Sequence, residues 1–193
     1  MKPSLNSQLL TGIPLQPSIL DLLATCRDAP ILLTADISKM FNQVILSEKH
    51  RNFTRILWKP LGASGPPKIY RLARIGFGFR EAPFTSQFVL KTLAKWVKTK
   101  DNRPIIQEAC DILLHNVYVD DILIKIYDPT KAIQLYHAIQ EILAIGGFVA
   151  KSGHVMTLRC WRLFRRNSEL PWNLEQSMLH HHNSEMCRRE PKH

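Results

Sequence analysis

Three aspartates stand where apolar strands would be expected to run. In "HNVYVDDILIKI", residues 115–126, Asp120 and Asp121 interrupt an apolar run. Val117, Tyr118 and Val119 precede them; Ile122, Leu123, Ile124 and Ile126 follow. Asp36 closes a second apolar stretch, "APILLTADI", residues 29–37. A buried strand tolerates a carboxylate only when something compensates the charge, because stripping its water is expensive. Enzymes of phosphoryl transfer often set two divalent cations about 3.5–4 Å apart to hold the attacking and leaving oxygens. Magnesium takes hard oxygen ligands, commonly one or two carboxylates together with substrate phosphates. One aspartate at a strand end and a pair on a neighbouring hairpin can supply them. Three carboxylates drawn together repel one another, and a cation relieves that. Plainer readings use the same residues. Asp120 and Asp121 suit a two-residue hairpin loop, and Asp36 suits the N-cap of the turn "ISKMF". Apolar strands flanking both acids favour a shared cation site.

The elements around these acids follow from periodicity and punctuation. Residues 1–19 are broken by prolines and read as extended. "SILDLLATCR", residues 18–27, reads as a short helix capped by Ser18, with Ile19, Leu22, Leu23 and Cys26 on one face. Residues 29–37 read as a buried strand. "RNFTRILWK" and "KIYRLARIGF" read as two strands around the reversal "PLGASGPP". "REAPFTSQFVLKTLAKWVKTK" reads as a helix with Pro83 in its first turn. Phe84, Phe88, Lys91 and Lys95 mark one of its faces; Val89, Leu93 and Trp96 mark another. The Asp120–Asp121 segment follows as strand, tight turn, strand. "DPTKAIQLYHAIQEILAIGG" is a helix with Asp128 as N-cap, Pro129 at its first position, and a stripe of Ala132, Tyr136, Ile139 and Leu143. Gly146–Gly147 ends it. A last strand is expected at "FVAKS". The order predicts an α+β fold, an antiparallel sheet with helices packed on one face.

Composition narrows the partners. The 193 residues carry 26 Lys+Arg against 16 Asp+Glu, a net charge of +10. That excess favours polyanions, nucleic acid above all, although a merely basic soluble protein would show it too. No apolar run approaches the roughly 20 residues of a membrane span. The start, "MKPSLNSQLLTGIPLQPS", has no signal-like apolar core, so an intracellular protein with no membrane partner is expected. Cys26, Cys110, Cys160 and Cys187 form no CxxC pair, so neither a zinc ribbon nor a redox dithiol is expected. Past residue 153 the periodicity lapses. The run His180–His181–His182 there reads as part of a solvated tail. The sequence sets no oligomeric state.

Three segments in order carry a family resemblance. "YVDD" at 118–121 resembles the YxDD motif of reverse transcriptases. "LTADISKMFNQVIL" resembles their first catalytic motif, an aspartate followed five residues later by an aromatic. "RIGFGFREAPFTSQFVL" resembles the F-G-x-x-x-A-P-F form of retrotransposon enzymes. The wording "ADISKMFNQV", "RILW", "FGFREAPF", "YVDDIL" and "GGF" is especially similar to BEL/Pao-type elements. The resemblance covers roughly residues 5–150.

The resemblance implies a polymerase palm with a ferredoxin-like core and transfer of a nucleotide from dNTP to a primer 3′-hydroxyl on an RNA or DNA template. It implies that Asp36 and Asp120 ligate two Mg²⁺ ions, with Mn²⁺ as an alternative. Asp121 would complete the carboxylate set and the Ile37 carbonyl would assist. It places Phe41 beneath the nucleotide sugar, Phe77 and Gly78 near nucleotide and template, and Tyr118 near the primer end. Lys39, Arg55, Lys59, Arg71, Arg74, Arg80, Lys91, Lys95 and Lys98 are the body's cations from which phosphate contacts would be drawn. Residues 1–28 read as a lead-in from the fingers, 29–153 as the palm, and 154–193 as a divergent tail. After "GGFVAKS" the wording departs from the family, and no thumb or RNase H region follows. A truncated polymerase of reduced activity is expected, with a non-catalytic nucleic-acid-binding remnant as the alternative.

Overall fold

The computed structural model describes residues 3–26, 29, 31–151 and 154–157. It divides into two compact units. One holds the described parts of 1–15 and 39–93, the other those of 16–38 and 94–193.

The second unit carries a four-stranded antiparallel sheet in the order β4-β5-β1-β6. Its strands are β1 (Ile31–Asp36), β4 (Val117–Tyr118), β5 (Asp121–Ile126) and β6 (His154–Thr157). In β1 burial alternates strictly. Ile31, Leu33 and Ala35 point into the core, and their cross-strand partners Ile126, Ile124 and Ile122 are buried with them. This period of two is what a strand with one fully covered face requires. Three helices contact β5: α2 (Ile19–Cys26), α6 (Pro104–His115) and α7 (Pro129–Ile145). Helix α2 covers the other face of the sheet, because its Leu22 and Cys26 cluster with Leu123, Leu32 and Tyr118. The expected α+β fold is therefore present, with a small apolar cluster on the second face added.

Local chemistry explains the helix ends. The Ser18 hydroxyl accepts a hydrogen bond from the Asp21 amide at 3.4 Å, as its N-cap reading requires. Asp128 accepts from the Thr130 amide at 3.0 Å, and Pro129 follows it in the first turn. At the far end of α7 the Phe148 amide donates to the Leu143 carbonyl and the Gly147 amide to Ala144. Those two bonds form a Schellman cap, and Gly147 takes φ +73° as the motif needs.

Helix α6 corrects the expected order, which ran directly from α5 (Ala82–Lys100) to the hairpin. Pro104 opens α6, and Ile106, Ala109, Cys110 and Leu113 form its buried stripe. The faces of α5 also differ from expectation. Leu90, Ala94 and Val97 are buried, while Phe88 and Trp96 are exposed. Among the described residues the last strand lies at His154–Thr157, just past "FVAKS" and past residue 153, where the divergent segment was expected to start. Ala150 instead makes an isolated bridge to Ile37. Residues 158–193, with the histidine run, lie outside the described residues. Cys26 and Cys110 are free and buried, and burial pushes both thiols up.

The first unit holds three short helices, α1 (Leu5–Gln8), α3 (Met40–Gln43) and α4 (Glu48–Arg51), the start of α5, and a separate two-stranded antiparallel sheet. The sheet pairs β2 (Arg55–Trp58) with β3 (Lys68–Arg71).

Candidate active site

The antiparallel register sets Asp36, the last residue of β1, directly opposite Asp121, the first of β5. Directly opposed residues have Cα atoms about 4.5–5.5 Å apart and side chains on the same face. That face is the one carrying Thr34 and Leu123, away from the fully buried Ala35 and Ile122. Tyr118 also pairs with Asp121. The two-residue loop is therefore Val119–Asp120, one position earlier than an Asp120–Asp121 loop would be.

The turn is fastened to the end of β1. The Ile37 amide donates to the Asp120 carbonyl at 2.9 Å, and the Ile37 side chain is fully buried. On the other edge, the Lys151 amide donates to the Asp36 carbonyl at 2.7 Å and the Ser38 amide to Val149 at 2.8 Å. The backbone bearing Asp36 is thus held from both sides.

Val119 has φ +56°. A β-branched residue in the left-handed region is strained, and tight hairpins favour glycine at such a first loop position. Strain of this kind costs on the order of 1–3 kcal/mol. Val119→Gly is expected to raise the urea midpoint, for a gain in stability of up to about 1 kcal/mol once the added freedom of the unfolded chain is subtracted. A lowered midpoint would show that the valine side chain contributes more than its backbone costs.

Burial raises the Asp121 carboxyl above its usual range, and the charges of Asp120 and Asp36 raise it further. The Asp121 group therefore binds a proton more tightly folded than unfolded. The stability linked to it is full below about pH 4 and is lost as pH rises through the raised value. Asp121→Asn is accordingly expected to melt higher than the parent at neutral pH in EDTA. Removing one like charge from a cross-strand pair is worth roughly 0.2–1 kcal/mol, on the order of 1–3 °C, and exposure to solvent favours the lower end. The gain disappears near pH 3.5, where the parent carboxyl is protonated. An equal gain at both pH values would rule out charge repulsion as its cause.

The donor set suits a hard divalent cation: carboxylate oxygens from a strand end and a hairpin, with burial and the charges of Asp120 and Asp36 pushing the Asp121 carboxyl up. The carboxylates are neighbours along the register rather than a closed cage. Among the described residues, no three His, Cys, Asp or Glu side chains are grouped to hold one ion.

Phe41, Phe77 and Gly78 belong to the first unit. Phe41 and Phe77 meet edge to face, ring centres 5.7 Å apart at 82°. Phe77 is otherwise largely exposed. Gly78 has φ +84°, and a Cβ placed there would meet nothing within 4 Å. Its glycine is needed here for its dihedral rather than for a close backbone approach. Tyr118 is half-buried against the α2 cluster, so packing accounts for it as well as a primer contact would.

Asn6 carries no signal in the sequence, yet it clamps this loop. Its amide nitrogen donates to the Gly78 carbonyl at 2.7 Å, and its amide oxygen accepts from the Arg80 amide at 3.2 Å. Several of the expected phosphate-binding cations have partners within the chain. Arg74 donates to the Asn42 and Gln43 carbonyls at the end of α3, Lys91 donates to the Leu15 carbonyl, and Lys98 pairs with Asp111.

A sheet that presents acids from a strand end and a tight hairpin, with helices behind it, is the arrangement of a polymerase palm. The chain belongs to the family described as reverse transcriptase (RNA-dependent DNA polymerase), whose profile matches residues 1–152. Among solved structures it is similar to the protease–reverse transcriptase of prototype foamy virus, a selenomethionine-labelled CSH mutant. The two share 21% identity with a TM-score of 0.58 over 78% of this chain. At that identity the likeness is one of fold. The chain spans 18% of the foamy-virus chain. No curated protein matches the sequence. Among the described residues, no helix is long and apolar enough to cross a membrane.

Proposed function

We propose that this chain is the palm-bearing part of an RNA-directed DNA polymerase from a BEL/Pao-type retrotransposon. It adds deoxynucleotides to a primer 3′-hydroxyl on an RNA or DNA template. The observation that carries the proposal is the register of Asp36 against Asp121 beside the Val119–Asp120 turn. Asp36, Asp120 and Asp121, with the Ile37 carbonyl, would hold two Mg²⁺ or Mn²⁺ ions. When bound, these cations polarise the primer hydroxyl and neutralise charge on the triphosphate. The chain's own work is positioning. The Ile37–Asp120 and Lys151–Asp36 bonds fix the carboxylate-bearing backbone. Phe41, braced by Phe77, would sit against the nucleotide sugar and reject a 2′-hydroxyl by bulk. Gly78 would shape the loop facing nucleotide and template, and Tyr118 would flank the primer end. Positioning supplies much of phosphoryl-transfer catalysis.

The ungrouped carboxylates favour a second reading, a palm that holds nucleic acid without chemistry. One assay separates the two: Mg²⁺- or Mn²⁺-dependent dNTP incorporation on primed RNA, by the parent chain and by Asp120→Asn. Incorporation by the parent alone supports the polymerase. Template binding by both with incorporation by neither supports the remnant.

A further inference from the structure

We infer that Arg74 is a positioning residue for substrate choice: its guanidinium grips the end of the helix that carries Phe41 and thereby sets how strictly that ring rejects a 2′-hydroxyl. The inference rests on the polymerase reading, which puts Phe41 against the nucleotide sugar, and adds the group that holds the ring in place. A ring that excludes by bulk works only where its position is fixed to roughly 0.5 Å. Helix α3 cannot fix that position alone. It is a single turn of four residues, too short to hold its own shape. Met40 is its one buried side chain. Its N-cap, Lys39, makes no side-chain bond to the helix and takes φ +51°, a left-handed conformation that a residue with a Cβ disfavours.

Arg74 supplies support at the other end. Its Nη1 donates to the Asn42 carbonyl at 3.3 Å and to the Gln43 carbonyl at 2.9 Å. Carbonyls in the last turn of a helix have no partner inside it, and Nη1 carries two hydrogens, one for each. A charged donor makes the stronger kind of hydrogen bond. The backbone from which Arg74 reaches is itself fixed. Ile75 beside it is buried, the Ile75 amide donates to the Val44 carbonyl at 3.0 Å, and the Leu46 amide donates to Ala73 at 2.9 Å. Arg74 bridges to Ile45 between those bonds. A few residues on, Phe77 meets the Phe41 ring at 82°, and Asn6 fixes the residue after it through the Gly78 carbonyl. One short segment, 74–77, therefore holds the Phe41 helix by its carbonyls and Phe41 by its ring. Among the described residues Arg74 pairs with no carboxylate, so its charge is engaged by the helix end.

The test compares the full chain with Arg74→Ala, Arg74→Lys, Phe41→Ala and Arg74→Ala/Phe41→Ala. Incorporation of dTTP and UTP on primed poly(rA) with Mg²⁺ gives the ratio of kcat/KM for the two nucleotides. Arg74→Ala is expected to lower that ratio at least about tenfold, through faster use of UTP, the scale on which a displaced group in an active site acts. Arg74→Lys, whose ammonium still reaches a carbonyl, is expected to stay within about threefold of the parent. Added to Phe41→Ala, Arg74→Ala is expected to change the ratio less than about twofold, because the ring it positions is gone. An unchanged ratio in Arg74→Ala overturns the inference. So does a loss in the double variant equal to the sum of the single ones, which would mark a general loosening of the fold. Anisotropy of fluorescein-labelled oligo(dT) across a salt series is expected to give the same slope for the parent and Arg74→Ala. A slope lowered by about one overturns the inference by making Arg74 a phosphate contact. Amide hydrogen exchange needs no chemistry. The Val44 amide, which donates to the Phe41 carbonyl, is expected to exchange at least about tenfold faster in Arg74→Ala, while the amides of α7 keep the parent's rates. A parent that incorporates neither nucleotide sinks the polymerase reading, and exchange then decides the grip on α3 alone: faster exchange at Val44 upholds it and an unchanged rate overturns it.

Discussion

Asp120→Asn is expected to reduce metal-dependent dNTP incorporation by at least about a hundredfold, the scale on which removing one electrostatic stabiliser from an active site acts. The substitution is nearly isosteric. The bond that fastens the turn uses the Asp120 backbone carbonyl, which donates nothing to the side chain's role and survives the change. The side chain also contributes repulsion, since its charge helps raise the Asp121 carboxyl. Activity should therefore collapse while the melting temperature holds or rises slightly. Few substitutions in a folded domain move those two readouts in opposite directions, because most lower stability. A matched fall in melting temperature would mean that Asp120 serves the turn and not the chemistry.

Leu33→Ala is expected to have the largest effect on stability. Leu33 is fully buried in β1, one of the two inner strands of the sheet, opposite Ile124 and Val155. Truncating a buried leucine removes its transfer energy and leaves a cavity, together about 2–5 kcal/mol. For a chain of this size that lowers the melting temperature by roughly 5–15 °C. The measurement is a thermal melt by circular dichroism with and without urea. A fall of under about 2 °C would mean that this strand is not the centre of the core.

The pairing of Asp36 with Asp121 was readable because these acids break a pattern. Asp36 and Asp120–Asp121 stand out against apolar strands, and the sheet pairs those strands in register. Helix α7 was readable because both ends carry local chemistry, Asp128–Pro129 at the start and Gly146–Gly147 at the end. What local patterns missed depends on distant partners or on strain. The stripe of α6 merges into the apolar hairpin that follows, and Pro104 was its only start signal. On α5 the bulky Phe88 and Trp96 draw attention, but Leu90, Ala94 and Val97 are the residues buried. The loop falls one residue early because Val119 occupies a conformation its own side chain disfavours. Asn6 reaches a loop far along the chain, and no spacing rule encodes that.

The place of β1 in the sheet has a consequence for how this protein is made. β1 is the first of the four strands to leave the ribosome, yet neither of its neighbours exists at that moment. β5 follows after the long stretch that includes α5 and α6, and β6 comes at the end of the described chain. At about 5–20 residues per second, the strand bearing Asp36 waits on the order of ten seconds with two apolar edges unpaired. Pairings between such remote segments form late and slowly, and an unpaired apolar strand is an aggregation template in the meantime. Chaperone demand during synthesis, and the yield at high expression, should therefore depend on how quickly residues 154–157 arrive to close the sheet.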